Sequence, residues 1–432
     1  MTSFIGEETD PELGRVLHQR MAELYPICRS ITGDGVRQTL ELIARFIPIE
    51  SRSVKSGTQA FDWTINDEWS VRDAYIADAD GQRLVDFRAH NLHLVSYSIP
   101  VRAQMTFDEL RPHLHTLPEH PDWIPYRTTY YSRTWGFCLA HSQLEALGPG
   151  PFDVVIDSSI APGELNYGEL MIPGERTDEV IISAHVCHPS LANDNLSGIV
   201  IATELAKSLL ALDRRRYTYR FVFAPGTIGS IAWLSEHPDV WPRIRHGLVL
   251  TGLAGEGGLV YKQTRNGSRQ IDRIAGHVVR RDGGEIRRYS PYGYDERQFN
   301  SVGFDLPVGR LSRTPHGEYP EYHTSADNLD FVRADELAAS YATIWEIIHI
   351  LERDQRYRNL SPYGEPQLGK RGLYPTMGGK AASDAVMAML WTLAYSDGEH
   401  TVLDIAEISD VAFAAVDEAA SKLAGAQLLE PT

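Results

Sequence analysis

The sequence has few cysteines, and their number is odd. Cys28, Cys138 and Cys187 are the three cysteines among 432 residues. Proteins held together by disulfides usually carry a denser and even-numbered set, so we expect no disulfide framework. A chain of this length buries a large hydrophobic core without such cross-links.

The sequence also lacks a long run of apolar residues. Its apolar stretches, such as residues 199–212, are interrupted by charged residues such as Glu204 and Lys207. They fall short of the roughly 20 apolar residues that span a bilayer. Residues 1–10 contain neither a basic segment nor an apolar core, so no signal peptide is predicted. We therefore expect a soluble, cytoplasmic protein that does not bind membranes.

Positive charge is scarce as well. The chain has 41 Lys and Arg against 58 Asp and Glu, which gives a formal net charge of −17. Nucleic acids and anionic membranes would repel such a protein, so neither is expected as a partner. The imbalance is greatest in residues 381–432, where nine acidic residues stand against Lys422 and no arginine.

The composition is otherwise that of a globular protein, with 43% hydrophobic and 23% charged residues. Short apolar runs alternate with helical patterns from about residue 152 to 355, which predicts an α/β sandwich around a mostly parallel sheet. Residues 1–61 and 151–358 are assigned to this domain. Residues 62–150 contain short apolar runs separated by prolines, which predicts an inserted, strand-rich domain.

Residues 375–432 are predicted to form a small winged-helix-like module, because two or three short apolar helices follow a linker rich in Gly and Pro. A helix that enters a DNA groove normally brings several cations, which this module lacks. We expect the module to act in protein interaction, in dimerisation or as a lid. The oligomeric state stays open, with the inserted or the C-terminal module as the surface through which copies of the chain would associate.

Candidate metal ligands follow the predicted strand at residues 180–184, at the end of the strand where ligands bind in open α/β sheets. The chain places His185, Cys187, His188 and Asp194 between this strand and the next helix. Zinc binds imidazole, carboxylate and thiolate groups, and catalytic sites commonly combine three such groups with a water molecule. The alternative is an ordinary polar loop with a helix cap at Asp194.

A second group of polar residues lies just before the closing helix. It contains Glu318, Glu321 and His323, with Thr324 and Asp327 placed to orient an imidazole ring. This group makes a metal site more plausible, because it supplies another imidazole with carboxylates nearby. A capped turn is the alternative interpretation.

Two other stretches admit both a functional and a structural interpretation. Asp295 and Glu296, beside Arg297, are candidate site residues, although such a group taken alone is most often a solvated surface turn. The aromatic block at residues 126–137 would form either a rim that sets substrate size or part of a domain core.

The run from His185 to Gly198 resembles the metal-binding loop of the zinc aminopeptidase family, to which the glutaminyl cyclases are related. In that family, a His at a strand end and an Asp in an Asp-Asn-x-x-Gly helix start bind the metal. A further ligand lies in a His-Thr-x-x-Asp run before the last helix. The resemblance implies that His185, Asp194 and His323 are the zinc ligands.

Over most of its length the chain is similar to a bacterial family of aminopeptidase-like proteins with an inserted domain and a C-terminal winged helix. The similarity implies a three-layer sandwich of the zinc-aminopeptidase type. Several long motifs occur in the family's order, and they lie at residues 135–138, 185–189, 225–230, 290–298 and 322–327.

The sequence departs from the wider family at two places. Gly226 and Thr227 stand where the wider family has Glu-Glu, a general base followed by a metal ligand. Cys187 replaces the Asp of a His-x-Asp pair that usually orients the first imidazole. The resemblance therefore implies one zinc ion rather than two, held by the three ligands named above.

Without the Glu-Glu pair, the catalytic base has to come from another residue. Glu296 and Asp295 are the first candidates, because they lie where family members carry an acidic residue that faces the substrate. The two glutamates before His323 come next. His188 is a candidate ligand or acid/base group, whereas Cys187 is more simply explained as a small buried side chain.

These residues lead to three hypotheses. The first is a zinc-dependent hydrolase that acts on an amide bond in a peptide or a small molecule. The second is a cyclase or acyl transferase that resembles glutaminyl cyclase, which a single zinc ion favours. The third is a non-catalytic binding protein on a peptidase fold, which the missing Glu-Glu pair favours.

Overall fold

The computed structural model describes residues 10–313, 315–373 and 380–432, without the side chains of residues 380–383. These residues form two compact units, one up to Thr343 and the other from Ile344 onward. The sequence predictions for residues 1–9, and for the part of the linker and C-terminal module at residues 374–379, lie outside the described residues.

A mixed sheet of eight strands forms the centre of the larger unit. Its four middle strands are parallel to one another, whereas Glu164–Ile172 and Val260–Lys262, which flank them, are antiparallel to their inner neighbours. Strands buried on both faces have continuous apolar runs, as in Glu179–His185. In spatial order the strands are Glu50–Lys55, Glu164–Ile172, Thr218–Ala224, Glu179–His185, Ile244–Leu250, Val308–Ser312, Val260–Lys262 and Glu285–Arg287.

Helices connect the strands in the order that the sequence pattern predicts. Gly198–Leu210 follows strand Glu179–His185, and Ile228–Glu236 follows strand Thr218–Ala224. The predicted α/β architecture is confirmed, although the sheet is more mixed than expected. Among the described residues, no helix combines the length and the apolar character that crossing a bilayer requires. The other helices from Pro11 to Arg353 are Pro11–Leu24, Asp34–Ala44, Phe107–Leu110, His141–Ala146, Gln270–Arg281, Glu296–Phe299 and Ala334–Arg353.

A smaller antiparallel sheet occupies the region predicted as an inserted domain. Its strands are Arg83–Asp86, Glu68–Ala77, Phe152–Ala161 and Val101–Met105, in that order. Strand Phe152–Ala161 begins after the predicted boundary at residue 150 and pairs with Glu68–Ala77 along its length. The small sheet therefore extends beyond that boundary, and the boundary itself stays a prediction. Two short strand pairs join Gln59–Ala60 to Trp63–Thr64 and Leu114–His115 to Phe137–Cys138.

The unit from Ile344 onward contains the predicted winged helix. Helices Lys380–Tyr395, Val402–Ser409 and Phe413–Gly425 accompany a three-stranded sheet in the order Asp397–Thr401, Arg356–Asn359, Leu429–Pro431. The second helix begins with a capping box, in which Thr401 and Asp404 each accept a backbone N–H from the other.

A buried ion-pair network joins three strands of the central sheet. Arg220 donates from Nη1 to Oε1 of Glu169 at 2.6 Å and from Nε to Oε2 of Glu179 at 2.6 Å. All three side chains are buried. Removing one partner from a buried pair leaves uncompensated charge, which costs about 3–5 kcal/mol.

We expect Arg220→Ala to lower the free energy of unfolding by about 3 kcal/mol for this reason. Urea unfolding followed by tryptophan fluorescence measures the change. The control is Arg72→Ala, which removes an exposed pair with Asp157 and should cost less than about 1 kcal/mol. A loss in Arg220→Ala no greater than in the control would contradict the role of the network.

Candidate functional site

The candidate site lies where strand Glu179–His185 ends and the chain passes through a loop to helix Gly198–Leu210. Nε2 of His185 lies 2.9 Å from Oδ1 of Asp194, and both side chains are buried. The first two predicted ligands therefore meet at the carboxyl end of a parallel strand, which is the usual position for a ligand site in this type of sheet.

Two further imidazoles approach the other oxygen of Asp194. Nε2 of His323 lies 3.1 Å from Oδ2, and Nε2 of His188 lies 3.9 Å from the same oxygen. Three potential ligand atoms lie within 4.8 Å of one another, and they belong to His185, His188 and Asp194. The structure thus brings three histidines from two distant segments to one carboxylate.

The charge states of these residues suit a divalent cation. Burial opposes the ionisation of Asp194, but His188, His185 and His323 hold its pKa well below the usual value. Burial lowers the pKa of His188 to about 3, so its imidazole is neutral at pH 7. An ionised carboxylate surrounded by imidazole nitrogens is a donor set that binds zinc, and the residues present therefore fit the ion.

Asp327 holds the loop that carries Asp194. Its Oδ1 accepts a hydrogen bond from the backbone N of Asn193 at 2.6 Å, and its Oδ2 accepts one from the N of Asp194 at 3.0 Å. Burial raises the pKa of Asp327 to about 7. The sequence predicts that Asp327 and Thr324 orient an imidazole ring. Asp327 instead binds these two backbone N–H groups, and Thr324 donates its hydroxyl to the carbonyl of Glu321.

The aromatic block of the inserted region supplies one wall of the site. The backbone N of Tyr126 donates to the carbonyl of His323 at 2.7 Å. The Tyr126 ring lies 5.0 Å from the ring of His323 and 5.3 Å from that of His188. Its hydroxyl is hydrogen-bonded to the hydroxyl of Tyr130 at 2.8 Å. Tyr126 also belongs to a buried hydrophobic cluster, and Phe137 is fully buried, so the interpretation of this block as domain core holds for both residues. A role of the block in setting substrate size stays a prediction.

The loop that replaces Glu-Glu packs directly against the first histidine. The backbone N of Gly226 donates to Sγ of Cys187 at 3.1 Å. A Cβ atom added at Gly226 would lie 3.3 Å from that sulfur and 3.6 Å from Cβ of His185. Burial raises the pKa of the Cys187 thiol, which disfavours the thiolate that a metal ligand requires. Cys187 therefore fits the interpretation as a small buried side chain.

Asp295, a predicted base, lies near His185 and anchors the same loop. Its Oδ1 accepts a hydrogen bond from the backbone N of Thr227 at 2.7 Å. Thr227 has φ +64°, an unusual value for a β-branched residue, and this bond helps to hold it there. Burial raises the pKa of Asp295, and the nearby His185 opposes the rise.

Glu296, the other predicted base, faces cations rather than the histidines. Its Oε1 lies 2.9 Å from Nζ of Lys262 and 3.6 Å from Nη1 of Arg310, and the side chain is fully buried. Glu318 is bound by Arg287 at an exposed position. The catalytic roles of Asp295 and Glu296 stay predictions.

Three residues near the site have no role in the sequence-based interpretation. Tyr294 stacks on His185 with ring centroids 5.0 Å apart, and Tyr322 stacks on His323 at 3.9 Å. Both tyrosines lie in motifs that carry the family resemblance, and this position in the motifs could have identified them as residues of the site. Arg29 donates from Nε to the carbonyl of His188 at 2.9 Å, and no sequence pattern connects these two residues.

Comparisons with known proteins show the family and the fold. The family profile described as "Domain of unknown function (DUF4910)" matches residues 18–354, and a winged helix-turn-helix profile matches residues 355–431. A Clostridium acetobutylicum protein, provisionally named a polysaccharide biosynthesis protein with an aminopeptidase-like domain, is 46% identical over 428 residues, which cover 98% of each chain.

Solved structures show the same fold. A crystal structure from Clostridium acetobutylicum, provisionally described as a peptidase, has a TM-score of 0.93 at 45% identity and covers 98% of this chain and 97% of its own. The zinc aminopeptidase BSAP from Bacillus subtilis has a TM-score of 0.56 at 13% identity, over 80% of this chain and 96% of its own. The predicted resemblance and the aminopeptidase-like fold are confirmed.

We expect Asp327→Asn to weaken the binding of added Zn²⁺ about 10- to 100-fold, because an amide NH₂ would face one of the two backbone N–H groups that the carboxylate now accepts. Competition with a chromophoric chelator measures this affinity. Asp330→Asn makes the same change at an exposed position and should have no effect. Equal affinities in Asp327→Asn and the unmodified chain would contradict the role of Asp327.

Proposed function

The chain belongs to the DUF4910 family, and we propose that it is a zinc-dependent hydrolase of an amide bond in a peptide or a small molecule. The observation that carries the proposal is the convergence of His185, His188 and His323 on the buried carboxylate of Asp194. The peptidase-like fold supports the same class of reaction.

We assign one zinc ion to His185, Asp194 and His323, with His188 as a candidate fourth ligand. Zinc bound there supplies a Lewis acid for the substrate carbonyl and lowers the pKa of a bound water. One ion is favoured over two because the loop at Gly226 brings no second carboxylate to the histidines.

His188 is the candidate fourth ligand or acid/base group, and its Nε2 lies 3.9 Å from Oδ2 of Asp194. Burial lowers the pKa of its imidazole to about 3, which suits a neutral metal ligand better than a proton acceptor. Arg29 fixes its backbone through the hydrogen bond to its carbonyl. Asp295 and Glu296 are the alternative bases, but the first is bound to the amide of Thr227 and the second is ion-paired.

Aromatic side chains shape the space around these groups. Tyr126, Tyr294 and Tyr322 pack against the three histidines. Such walls exclude water and limit substrate size. The three cysteines are free thiols, which is compatible with a reducing compartment, and we place the activity in the cytoplasm.

We expect Asp194→Asn to abolish both stoichiometric zinc and amide turnover, because the neutral amide removes the charge on which the histidines converge. Metal analysis of the purified protein and turnover of a panel of aminoacyl amides measure the two effects. The control Asp330→Asn should keep both. Unmodified protein without stoichiometric zinc, or a variant that retains it, would show that the assigned ligands are wrong.

A cyclase or acyl transferase is the second candidate, because Gly226 and Thr227 supply no second carboxylate ligand and a single zinc ion favours this reaction. We expect turnover to release a free acid and an amine, which mass spectrometry of the products identifies. A ring-closed lactam or a transferred acyl group, without the free acid, would replace the hydrolase with this second function. Zinc-loaded protein that turns over no amide in the panel would favour a non-catalytic binding protein.

We further propose that the winged-helix unit mediates protein association, through which copies of the chain would also assemble. Helix Phe413–Gly425 carries Asp417 and Glu418, and its one lysine, Lys422, is paired with Glu418 at 2.6 Å. The helix therefore offers little positive charge to phosphates.

We expect the full chain to show no specific binding to duplex DNA. Fluorescence anisotropy with labelled duplexes at low and at physiological salt measures this. Binding that is sequence-specific and that weakens steeply with salt would overturn the assignment.

A further inference from the structure

A group of cations lies beside the His/Asp cluster and has no role in the proposed reaction. This cationic group consists of Lys262, Arg297 and Arg310. Lys262 and Arg310 are only 3% and 2% exposed, and both approach the carboxylate of Glu296. Arg297 is the next residue after Glu296 and is close enough to lower the pKa of Lys262, after the larger effect of burial.

The cationic group has more positive charge than its neighbours compensate. Among the described residues, Nε of Arg297, Nε of Arg310 and Oε2 of Glu296 are buried and have no hydrogen-bond partner. The carboxylate of Glu318, which also lies near Arg310, is bound by Arg287. Buried charges are costly unless they are paired, so three cations beside the one carboxylate of Glu296 indicate a place for an anion.

Aromatic rings connect the cationic group with the candidate zinc ligands. Cζ of Arg310 lies 5.8 Å from the ring centroid of Tyr294, which stacks on His185. The ring of His316 lies 4.9 Å from that of Tyr294 and 6.3 Å from that of Tyr322. The cationic group is therefore separated from the ligands by a single layer of side chains.

His316 adds a neutral donor to the group. Nη1 of Arg310 lies 3.1 Å from Nδ1 of His316. A guanidinium only donates hydrogen bonds, so Nδ1 accepts and the proton of the neutral ring is on Nε2. Burial lowers the pKa of His316, which keeps the ring neutral at pH 7. The ring is half-buried beside Tyr292, which is 71% exposed, so His316 lies between the buried cations and an exposed side chain.

We propose that His316, Arg310 and Lys262 form an anion subsite that binds an acidic group of the substrate, a carboxylate or a phosphate, while the amide bond lies at the His/Asp cluster. The inference rests on the proposed hydrolase function and narrows the substrate to acidic amides. Guanidinium groups bind both kinds of anion through charge-assisted hydrogen bonds. The aromatic layer sets the separation between the acidic group and the amide.

The test is a calorimetric titration of the full-length, zinc-loaded protein with inorganic phosphate and, separately, with glutarate. Each titration is repeated after chelation of zinc, so that the probes cannot bind the metal. We expect saturable binding of at least one probe in both forms. Arg310→Gln should weaken it at least about tenfold, the effect of one lost hydrogen bond to a charged group.

Two further variants keep the test decisive. His316→Gln changes a half-buried residue with less risk to folding and should also weaken binding. Arg245→Gln removes an exposed arginine paired with Asp178 and should leave binding unchanged. Binding of phosphate alone assigns a phosphate, and binding of glutarate alone assigns a carboxylate.

The subsite is overturned if neither probe binds saturably, or if Arg245→Gln loses as much affinity as Arg310→Gln. Because binding is also measured without zinc, the subsite can be confirmed even if the hydrolase function fails. Zinc content measured in Arg310→Gln should equal that of the unmodified protein, which separates a loss of the anion subsite from a loss of the metal site.

Discussion

The buried carboxylate of Asp194 is the interaction on which the site depends. An ionised group without access to water is stable only when partners compensate its charge, and here ring nitrogens of His185 and His323 lie within hydrogen-bond distance of its two oxygens. Asp327 fixes its position by accepting the backbone N–H groups of Asn193 and Asp194. The same two bonds tie the loop after a central strand to the segment that carries His323. Position and charge compensation are therefore achieved together.

The departures from the wider aminopeptidase pattern fit one another in the folded chain. Gly226 has no side chain, and its amide is bonded to the thiol of Cys187 in the space beside His185. The next amide, that of Thr227, is bound by Asp295. Beside His185, the loop at Gly226 and Thr227 is therefore bonded to a thiol and to a carboxylate. This packing leaves an imidazole-rich cluster around Asp194.

Charge is distributed unevenly over the molecule, and the distribution has chemical consequences. The net charge of −17 opposes the binding of nucleic acids. The same argument applies to the winged-helix unit, because residues 381–432 carry nine acidic residues and a single lysine. In this acidic protein, the two buried cations Lys262 and Arg310 form a local region of positive charge. If the proposed subsite binds an anion, a small acidic molecule suits it better than a polyanion, which the net negative charge of the protein would repel.

The sequence by itself determined the fold class and part of the site. Buried parallel strands require continuous apolar runs, so the strand that ends at His185 could be located, and Asp194 follows it within one loop. His323 lies 129 residues from Asp194, and its link to that residue came from the resemblance rather than from spacing. Only the tertiary structure decided that Glu296 pairs with Lys262 and that Tyr294 stacks on His185. Such contacts depend on the order of strands in the sheet and on the direction of each side chain, which local sequence patterns do not encode.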